Sequence, residues 1–254
     1  MIGSSKKLMQ RRLTMSLAQQ RVLILGGSSG MGLAAAQRLA RTGAEVFIAG
    51  RVQAKLDAAL AVITGSAEGL VLDFTDAVSL AGASQRLGRI DHLVLAASSD
   101  AAWGPFAQTS ADALRRALEG KLLGYWQALQ AMLPILRHDG SVVMLTGAAS
   151  RTAMVGTAGL AAVNGAITQM ARTLAKELAP LRVNVVSPGL VDTPVYDGMP
   201  AEAKRGMFEA AARSLPVGRT GTPEDVAGAI EFLLESTFTT GALLDVDGGA
   251  RMSL

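Results

Sequence analysis

Short apolar runs alternate with longer helical runs along most of this chain, and no other feature constrains its fold as strongly. Seven runs rich in Val, Ile and Leu are typical of β-strands, at residues 21–25, 44–49, 69–73, 92–97, 141–146, 182–187 and 242–247. Six longer stretches between them are typical of helices, at residues 32–42, 54–63, 79–87, 110–136, 157–178 and 223–234. Near-continuously apolar strands joined by helical crossovers indicate a parallel sheet that is covered on both faces. The sequence therefore predicts an α/β fold with a doubly wound parallel sheet of about seven strands.

The length of the chain fits a single domain. A chain of 254 residues, half of them apolar, can bury one full core, and residues 21–254 are predicted to form it. Residues 1–20 carry several Lys and Arg and no acidic residue, so they are predicted to be a basic, flexible extension. The long irregular stretch at 188–223 is predicted to be a lid, because loops of that length usually cover a site.

The composition argues against several classes of function. The 24 Lys and Arg nearly balance the 21 Asp and Glu, and the excess lies mostly near the N-terminus, so no nucleic-acid partner is expected. The chain has no cysteine, and His92 and His138 stand far apart, so no metal site is expected. The chain shows neither an apolar run of membrane-spanning length nor a secretory signal. We therefore expect a cytoplasmic protein that binds small molecules and no membrane.

A glycine-rich turn, Gly26-Gly-Ser-Ser-Gly-Met-Gly32, follows the first predicted strand and opens the first predicted helix. Glycine permits positive φ and lets the backbone approach a pyrophosphate, which the N–H groups of the helix start attract. This position in a strand–turn–helix unit predicts nucleotide binding. The residues predicted to contact the cofactor here are Gly26, Ser28, Ser29, Gly30, Met31 and Gly32.

The end of the second strand indicates which dinucleotide is bound. An acidic residue about 20 positions after the glycine turn would bind the ribose 2′-hydroxyl of NAD(H). Here Gly50 occupies that region and Arg51 follows it. A guanidinium suits a 2′-phosphate through charge-assisted hydrogen bonds, with Ser28 as a helper. The sequence therefore favours NADP(H) as the cofactor.

Several further motifs make the chain resemble the short-chain dehydrogenase/reductase family from about residue 21 to residue 249. They are GGSSGMG in place of the family's TGxxxGxG, Asp73 after the third strand, RVNVVSPGLVDTP at 182–194, GRTGTPEDVAGAIEFLL at 218–234 and TGALLDVDGG at 240–249. The resemblance implies a Rossmann fold and an oxidoreductase acting on a small organic substrate. It also implies a homodimer or homotetramer built through the long helices at 110–136 and 157–178.

The resemblance also assigns further cofactor contacts. Asp73 and Phe74 would lie at the edge of the adenine ring. Pro188, Gly189, Val191 and Thr193 would face the nicotinamide. Ala96 and Ala97 stand where the family has NNAG after the fourth strand, and they are assigned to the cofactor as well.

Other residue types occupy the positions that align with the family's catalytic residues. The family uses a Ser, a Tyr, a Lys four residues after the Tyr, and an Asn on the preceding long helix. Gly147, Leu160, Asn164 and Lys121 occupy those four positions, and neither Tyr125 nor Tyr196 has a lysine four residues on. In the family the Lys and the Asn lie close together, so we expect Lys121 and Asn164 to form the same pair with places exchanged. Lys121 would then supply positive charge and a proton, with Asn164 positioning it.

Two functions remain open from the sequence. The first is an NADP(H)-dependent oxidoreductase with a non-standard active site, which the Lys121/Asn164 exchange and the lid favour. The second is a catalytically inactive dinucleotide-binding protein, a sensor or partner subunit, which the missing Ser, Tyr and Lys favour. Weaker candidates for the substrate side include Ser98, Ser99, Asp100, Thr146, Ser150, Arg151, Trp103, Met154, Tyr196, Met199 and Met207.

Overall fold

The computed structural model describes residues 16–97 and 101–252 of the chain. Its seven strands form one parallel sheet in the order β3-β2-β1-β4-β5-β6-β7. The strands are β1 (Arg21–Leu25), β2 (Glu45–Gly50), β3 (Ala67–Val71), β4 (Ile90–Leu95), β5 (Leu136–Leu145), β6 (Arg182–Pro188) and β7 (Leu243–Val246). The strand order reverses between β1 and β4, and such a reversal leaves a crevice at the carboxyl ends of the strands. The prediction of a doubly wound parallel sheet of seven strands is confirmed.

Helices cover both faces of the sheet, as the apolar strands require. They are α1 (Gly30–Arg41), α2 (Gln53–Leu60), α3 (Ala77–Leu87), α4 (Ala111–Ala117), α5 (Gly124–Met132), α6 (Ala158–Glu177), α7 (Ala201–Ser214) and α8 (Pro223–Glu235). One apolar core lies between the sheet and α1, α2 and α8. A second core lies between the sheet and α3, α5 and α6.

The long helix predicted over residues 110–136 is interrupted. A π-helical turn at Leu118–Leu123 separates α4 from α5, and a 3₁₀ turn at Leu133–Ile135, which contains Pro134, ends the run before β5. A π turn accommodates an extra residue and changes the direction in which side chains leave the helix; such turns are frequent at functional sites. Lys121 lies in this π turn, and its side chain is buried.

The bounds and the burial of β3 also differ from the sequence predictions. β3 ends at Val71 rather than at residue 73, because it pairs along β2 from Val46 opposite Ala67 to Gly50 opposite Val71. As an edge strand it is half-exposed, so the expectation that every strand is buried on both faces is wrong for β3.

The end of the predicted N-terminal extension belongs to the folded domain. Leu17 is fully buried, the Gln19 N–H donates to the Gly43 carbonyl at 2.8 Å, and the Gln20 side chain contacts the ring of His92. Residues 1–15 lie outside the described residues, so the flexible extension stays a prediction for them. The lid stretch contains a 3₁₀ turn at Pro194–Tyr196 and helix α7. No helix in the described part of the chain has the length and apolarity needed to span a membrane.

Candidate cofactor and active site

A cavity of about 500 Å³ opens where β1 and β4 end. Its walls come from the glycine turn, the ends of β2, β3 and β4, and the first residues of the lid stretch. Twelve of the fifteen residues predicted to contact the cofactor line this cavity: Gly26, Ser28, Ser29, Gly30, Met31, Gly32, Arg51, Asp73, Phe74, Ala96, Ala97 and Thr193. The structure therefore brings the predicted cofactor residues to one crevice.

Three of the predicted residues stand outside the cavity wall in the described structure. Pro188 is the last residue of β6 and is buried, and Val191 is buried and pairs with Gly221 in an isolated bridge. A β-carbon on Gly189 would lie 2.8 Å from the Cα of Asp247, so this glycine permits a close backbone contact with the C-terminal segment. These residues support the segment that carries Thr193 into the cavity wall.

The glycine turn is shaped so that backbone forms the cavity floor. A β-carbon on Gly32 would lie 2.2 Å from the carbonyl oxygen of Gly26, which is closer than any side chain tolerates. Gly26 itself has φ +83° and would place a β-carbon 2.9 Å from the backbone of Ala96, which directly follows β4. Ser29 precedes α1 in extended conformation, and its side chain makes no capping hydrogen bond. The first N–H groups of α1 therefore keep their capacity to bind an anion.

Two basic residues flank the cavity at the end of β2. Arg51 and Lys55 both line it, and both are exposed. A β-carbon on Gly50 would lie 3.2 Å from the Ser28 hydroxyl oxygen, so a larger residue there would crowd that hydroxyl. The sequence reasoning missed Lys55. The signal was its position four residues after Arg51, which places it on the first turn of α2.

Asp73 is held rigidly at the end of β3. Its carboxylate accepts hydrogen bonds from the backbone N–H of Thr75 at 2.9 Å and from the Thr75 hydroxyl at 2.7 Å. These bonds, with a smaller contribution from the charge of Arg51, lower the pKa of Asp73. The neighbouring Phe74 ring packs where a β-carbon on Gly124 would stand, so the cavity wall is tied to α5.

Lys121 and Asn164 meet in the interior beside the end of β5. The amine Nζ of Lys121 donates to Oδ1 of Asn164 at 2.9 Å and lies 3.5 Å from the carbonyl oxygen of Thr146. Both side chains are buried, and burial lowers the pKa of Lys121 to about 8. Its neighbour in the chain, Gly120, lines the cofactor cavity. The expected contact between the exchanged residues is present, while their catalytic role stays a prediction.

Two other residues that the resemblance aligns with the family's catalytic set, Gly147 and Leu160, lie near this pair. A β-carbon on Gly147 would lie 3.3 Å from Nδ2 of Asn164, so the amide faces the position that the resemblance aligns with the family's Ser. Leu160 lies in the first turn of α6, one turn before Asn164, and is half-buried. Tyr125 is fully buried and donates its hydroxyl to the carbonyl of Ala97 at 2.8 Å. Burial raises the pKa of Tyr125, so this phenol is a structural support of the cavity wall rather than an acid.

Comparison with known proteins decides the family. A family model described as Enoyl-(Acyl carrier protein) reductase matches residues 26–251, which is most of the chain. The 3-oxoacyl-[acyl-carrier-protein] reductase of Thermotoga maritima is 32% identical over 242 residues, covering 89% of this chain and 96% of that protein. The chain belongs to the short-chain dehydrogenase/reductase family.

Solved structures of related proteins agree with this assignment. This short-chain dehydrogenase/reductase superposes on a small-chain dehydrogenase in complex with NADPH with a TM-score of 0.81 and 31% identity, covering 92% of this chain and 99% of that one. It also resembles the MalC reductase/Diels-Alderase from Malbranchea aurantiaca, with a TM-score of 0.85 and 26% identity over 92% of this chain and 96% of that one.

Six of the eleven weaker candidates for the substrate side stand in three different situations. Ser98, Ser99 and Asp100 lie outside the described residues. Arg151 pairs with Asp245 at 3.2 Å. Trp103 and Tyr196 lie together in a ring cluster near the lid, described below.

The two histidines lie away from the carboxyl ends of the strands. His92 is near the start of β4, where burial lowers its pKa to about 3. His138 is exposed near the start of β5. In the part of the chain that the structure describes, no group of side chains has the composition of a metal site.

Proposed function

We propose that the protein is an NADP(H)-dependent oxidoreductase with a non-standard active site, in which Lys121 donates a proton and Asn164 positions it. The observation that carries the proposal is the 2.9 Å hydrogen bond between Lys121 and Asn164, next to a residue of the cofactor cavity wall. The proposed substrate is a small organic molecule.

The residues of the cavity fit a dinucleotide. Gly32 and Gly26 leave room that any β-carbon would fill, and the N-terminus of α1 offers free N–H donors for a pyrophosphate. Arg51 and Lys55 support a preference for the 2′-phosphate of NADP(H), because both cations line the cavity where NAD-binding relatives need an acid. When bound, the nicotinamide ring supplies or accepts a hydride.

The absent Tyr, Ser and Lys change what the chain can do in catalysis. When a carbonyl is reduced, negative charge develops on its oxygen and a proton must follow. The Leu160 side chain has no proton to give, and Gly147 has no hydroxyl to orient the carbonyl. Losing a positioned general acid typically lowers the rate by ~10²–10⁴, so ordinary carbonyl reduction is expected to be slow.

Lys121 is the chain's replacement for that acid in this proposal. An ammonium group carries three N–H donors. Among the described residues, Asn164 Oδ1 and Thr146 O face two of them, and the proposal assigns the third to a substrate. A pKa of about 8 keeps the amine mostly protonated at neutral pH and makes it a better acid than an ordinary lysine.

The proposed reaction class is reduction of an activated double bond or an imine. An imine nitrogen is basic enough to be protonated before hydride transfer, and an enolate spreads its charge over several atoms. Both reactions therefore depend less on a strong, rigidly placed acid than reduction of a simple ketone does.

The alternative is a dinucleotide-binding protein without turnover. It is supported by the burial of Lys121, whose residue is only 7% exposed, and by the missing hydroxyls at positions 147 and 160. A sensor or partner subunit needs the cofactor cavity but needs no proton donor. Fold alone does not distinguish the two readings.

One experiment separates them. NADPH and NADH are titrated by fluorescence, and stopped-flow oxidation of NADPH is followed with a ketone, an imine and an enone. Turnover that Lys121→Met lowers by ~10² or more, with NADPH affinity preserved, supports the oxidoreductase. Tight NADPH binding with no turnover on any class supports the alternative. Turnover left unchanged by Lys121→Met removes Lys121 from the mechanism, and the exposed Lys176 mutated to Met serves as the control.

We also propose a homodimer or homotetramer in the cytoplasm. Helices α5 and α6 leave an apolar groove of about 500 Å³ on the surface, lined by Trp126, Leu129, Leu133, Met170 and Leu174, among others. Trp126 is 47% exposed, which is unusual for so large an apolar side chain. The family resemblance supports a second copy of the chain as the occupant. The cytoplasmic location rests on the NADP(H) assignment and on the absence of cysteine from the chain.

A further inference from the structure

Three aromatic rings connect the loop after β4 to the lid stretch. The Trp103 ring meets the Tyr196 ring edge-on, with centroids 6.1 Å apart and planes at 89°. Tyr196 in turn meets Phe208 of α7 with centroids 5.4 Å apart and planes at 87°. Edge-to-face geometry is the preferred arrangement of aromatic pairs and adds to the stability that burial provides. We call Trp103, Tyr196 and Phe208 the aromatic wall.

The aromatic wall stands on the substrate side of the proposed active site. Trp103 follows Ala102, which packs so tightly on Gly159 that a β-carbon there would lie 2.5 Å from the Ala102 Cβ. Gly159 directly precedes Leu160, the residue at the position of the family's Tyr. At the other side, Tyr196 follows Val195, which lines the cofactor cavity. The residues next to the rings in the chain therefore contact the start of α6 on one side and line the cavity on the other.

The aromatic wall has free surface for a ligand. Trp103 is 49% exposed in spite of its contact with Tyr196. The loop next to it is held by a 2.9 Å hydrogen bond from the Gly104 N–H to the Gly156 carbonyl. Met154 and Val155, which precede Gly156, are also exposed. A set of exposed apolar side chains on tied loops is typical of a binding site for apolar molecules.

Two cations of the described residues, Lys204 and Arg151, are already paired with carboxylates. Lys204 of α7 lies 3.0 Å from a carboxylate oxygen of Asp192 and 3.0 Å from one of Asp197. Arg151 lies 3.2 Å from Asp245, and that carboxylate is also 3.3 Å from Arg251. An anionic substrate would have to compete with these carboxylates for Lys204 and Arg151. Burial and the charge of Asp192 raise the pKa of Tyr196, which keeps its phenol neutral.

We propose that the substrate of this site is an uncharged molecule that carries a planar ring, bound against the aromatic wall. This inference rests on the proposed function, since it names the class of molecule that the same site would reduce. Ring-to-ring contact with Trp103 would supply the binding energy. A carboxylate or phosphate on the substrate's ring would lose hydration against the rings, and Lys204 and Arg151 could pair with it only by leaving their own carboxylates.

The chain offers a spectroscopic test, because it contains only two tryptophans, Trp103 and Trp126. In a Trp126→Phe variant, all tryptophan fluorescence comes from the aromatic wall. Acetophenone and 4-acetylbenzoate are titrated into this variant, both with and without saturating NADP⁺. N-acetyltryptophanamide provides the reference for collisional quenching. The two ligands differ only by one carboxylate.

We expect saturable quenching by acetophenone and at least about tenfold weaker binding of 4-acetylbenzoate. Phe208→Ala in the same background should weaken acetophenone binding severalfold, whereas Phe238→Ala, at a fully exposed site outside the wall, should not. Quenching by acetophenone that only follows the collisional reference would overturn the proposal. Equal or tighter binding of 4-acetylbenzoate would overturn it as well.

Failure of this inference is distinguishable from failure of the proposed function. NADPH binding is measured separately through the fluorescence of the nucleotide itself. If NADPH binds and acetophenone does not, the inference fails while the cofactor assignment stands. If NADPH does not bind, the cofactor assignment fails, and the titration without NADP⁺ still decides whether the aromatic wall selects neutral rings.

Discussion

The amine of Lys121 and the amide oxygen of Asn164 lie 2.9 Å apart, although 43 positions separate them in the chain. The contact joins the π turn after α4 to the second turn of α6. The oxygens that contact the amine belong to an amide and a backbone carbonyl, so within residues 16–97 and 101–252 no carboxylate pairs with it to offset the cost of burying its charge. This arrangement leads to the first prediction.

Lys121 should make the stability of the protein depend on pH in the alkaline range. Burial lowers its pKa from 10.5 to about 8 in the folded chain, so the unfolded chain binds the proton more tightly. The burial cost is therefore present in full below about pH 8 and disappears as the pH rises toward 10.5. Relative to Lys121→Met, the wild-type free energy of unfolding should rise by up to about 3 kcal/mol over this range.

Urea denaturation of both proteins from about pH 7 to about pH 10 measures this difference. The exposed Lys176 mutated to Met should give no such trend. If the difference in free energy of unfolding between wild type and Lys121→Met does not change with pH, the Lys121 amine is not buried in its charged form.

Arg51 and Lys55 should select for the 2′-phosphate. Removing a charge-assisted hydrogen bond costs about 1.5–3 kcal/mol, so Arg51→Gln should weaken NADPH binding by about tenfold or more. NADH binding should stay within a factor of about two, because NADH has no phosphate at that place. Lys55→Gln should act in the same direction.

Calorimetric titration of both nucleotides measures this selectivity, with Lys176→Gln as the matched control. If Arg51→Gln weakens the binding of NADH and of NADPH equally, the guanidinium does not bind the 2′-phosphate.

Gly32 should be required for nucleotide binding. An alanine at this position would place its β-carbon 2.2 Å from the Gly26 carbonyl oxygen, so the turn must move. NADPH binding should be lost, and the unfolding free energy should fall by more than about 1 kcal/mol.

Gly82 in α3 is the matched control, since nothing lies within 4 Å of the β-carbon that alanine would add there. Gly82→Ala should raise helix stability by up to about 1 kcal/mol and leave NADPH binding unchanged. Retained binding in Gly32→Ala would show that the turn adopts another shape.

The groove between α5 and α6 should mediate self-association. Leu174→Asp would put a charge among Leu129, Leu133 and Met170, so a dimer or tetramer should dissociate. Size-exclusion chromatography with light scattering measures the mass of the particle. Phe238→Asp, at a fully exposed apolar residue outside the groove, should leave that mass unchanged. A wild-type protein that is monomeric at micromolar concentration would refute the proposed assembly.

The sequence alone predicts the sheet well because parallel strands buried on both faces are read as apolar runs. The glycine turn is also predictable from the sequence. A β-carbon on Gly32 would collide with the backbone, so the turn requires glycine and leaves a visible pattern of glycines. Lys121 and Asn164 were paired through the family resemblance, and their contact is present. Their pairing could not have come from periodicity, which says nothing about contacts between distant helices.

Other features leave no local signal in the sequence. The π turn at Leu118–Leu123 inserts a residue into a helix without changing its apolar content, so the run reads as one helix. Lys55 resembles any solvated lysine until the cavity is seen beside it. Arg151 finds its partner Asp245 94 positions away, and only the fold brings the two together.

The central place of β1 has a consequence for how the chain is made. β1 pairs with β2 on one side and with β4 on the other, and β4 begins only at Ile90. A nascent chain that has left the ribosome up to about residue 89 can pair β1, β2 and β3 but leaves the other edge of β1 bare. That edge is apolar and remains open until β4 emerges, so a pause in translation between β3 and β4 would lengthen the time in which the unfinished chain is prone to aggregate.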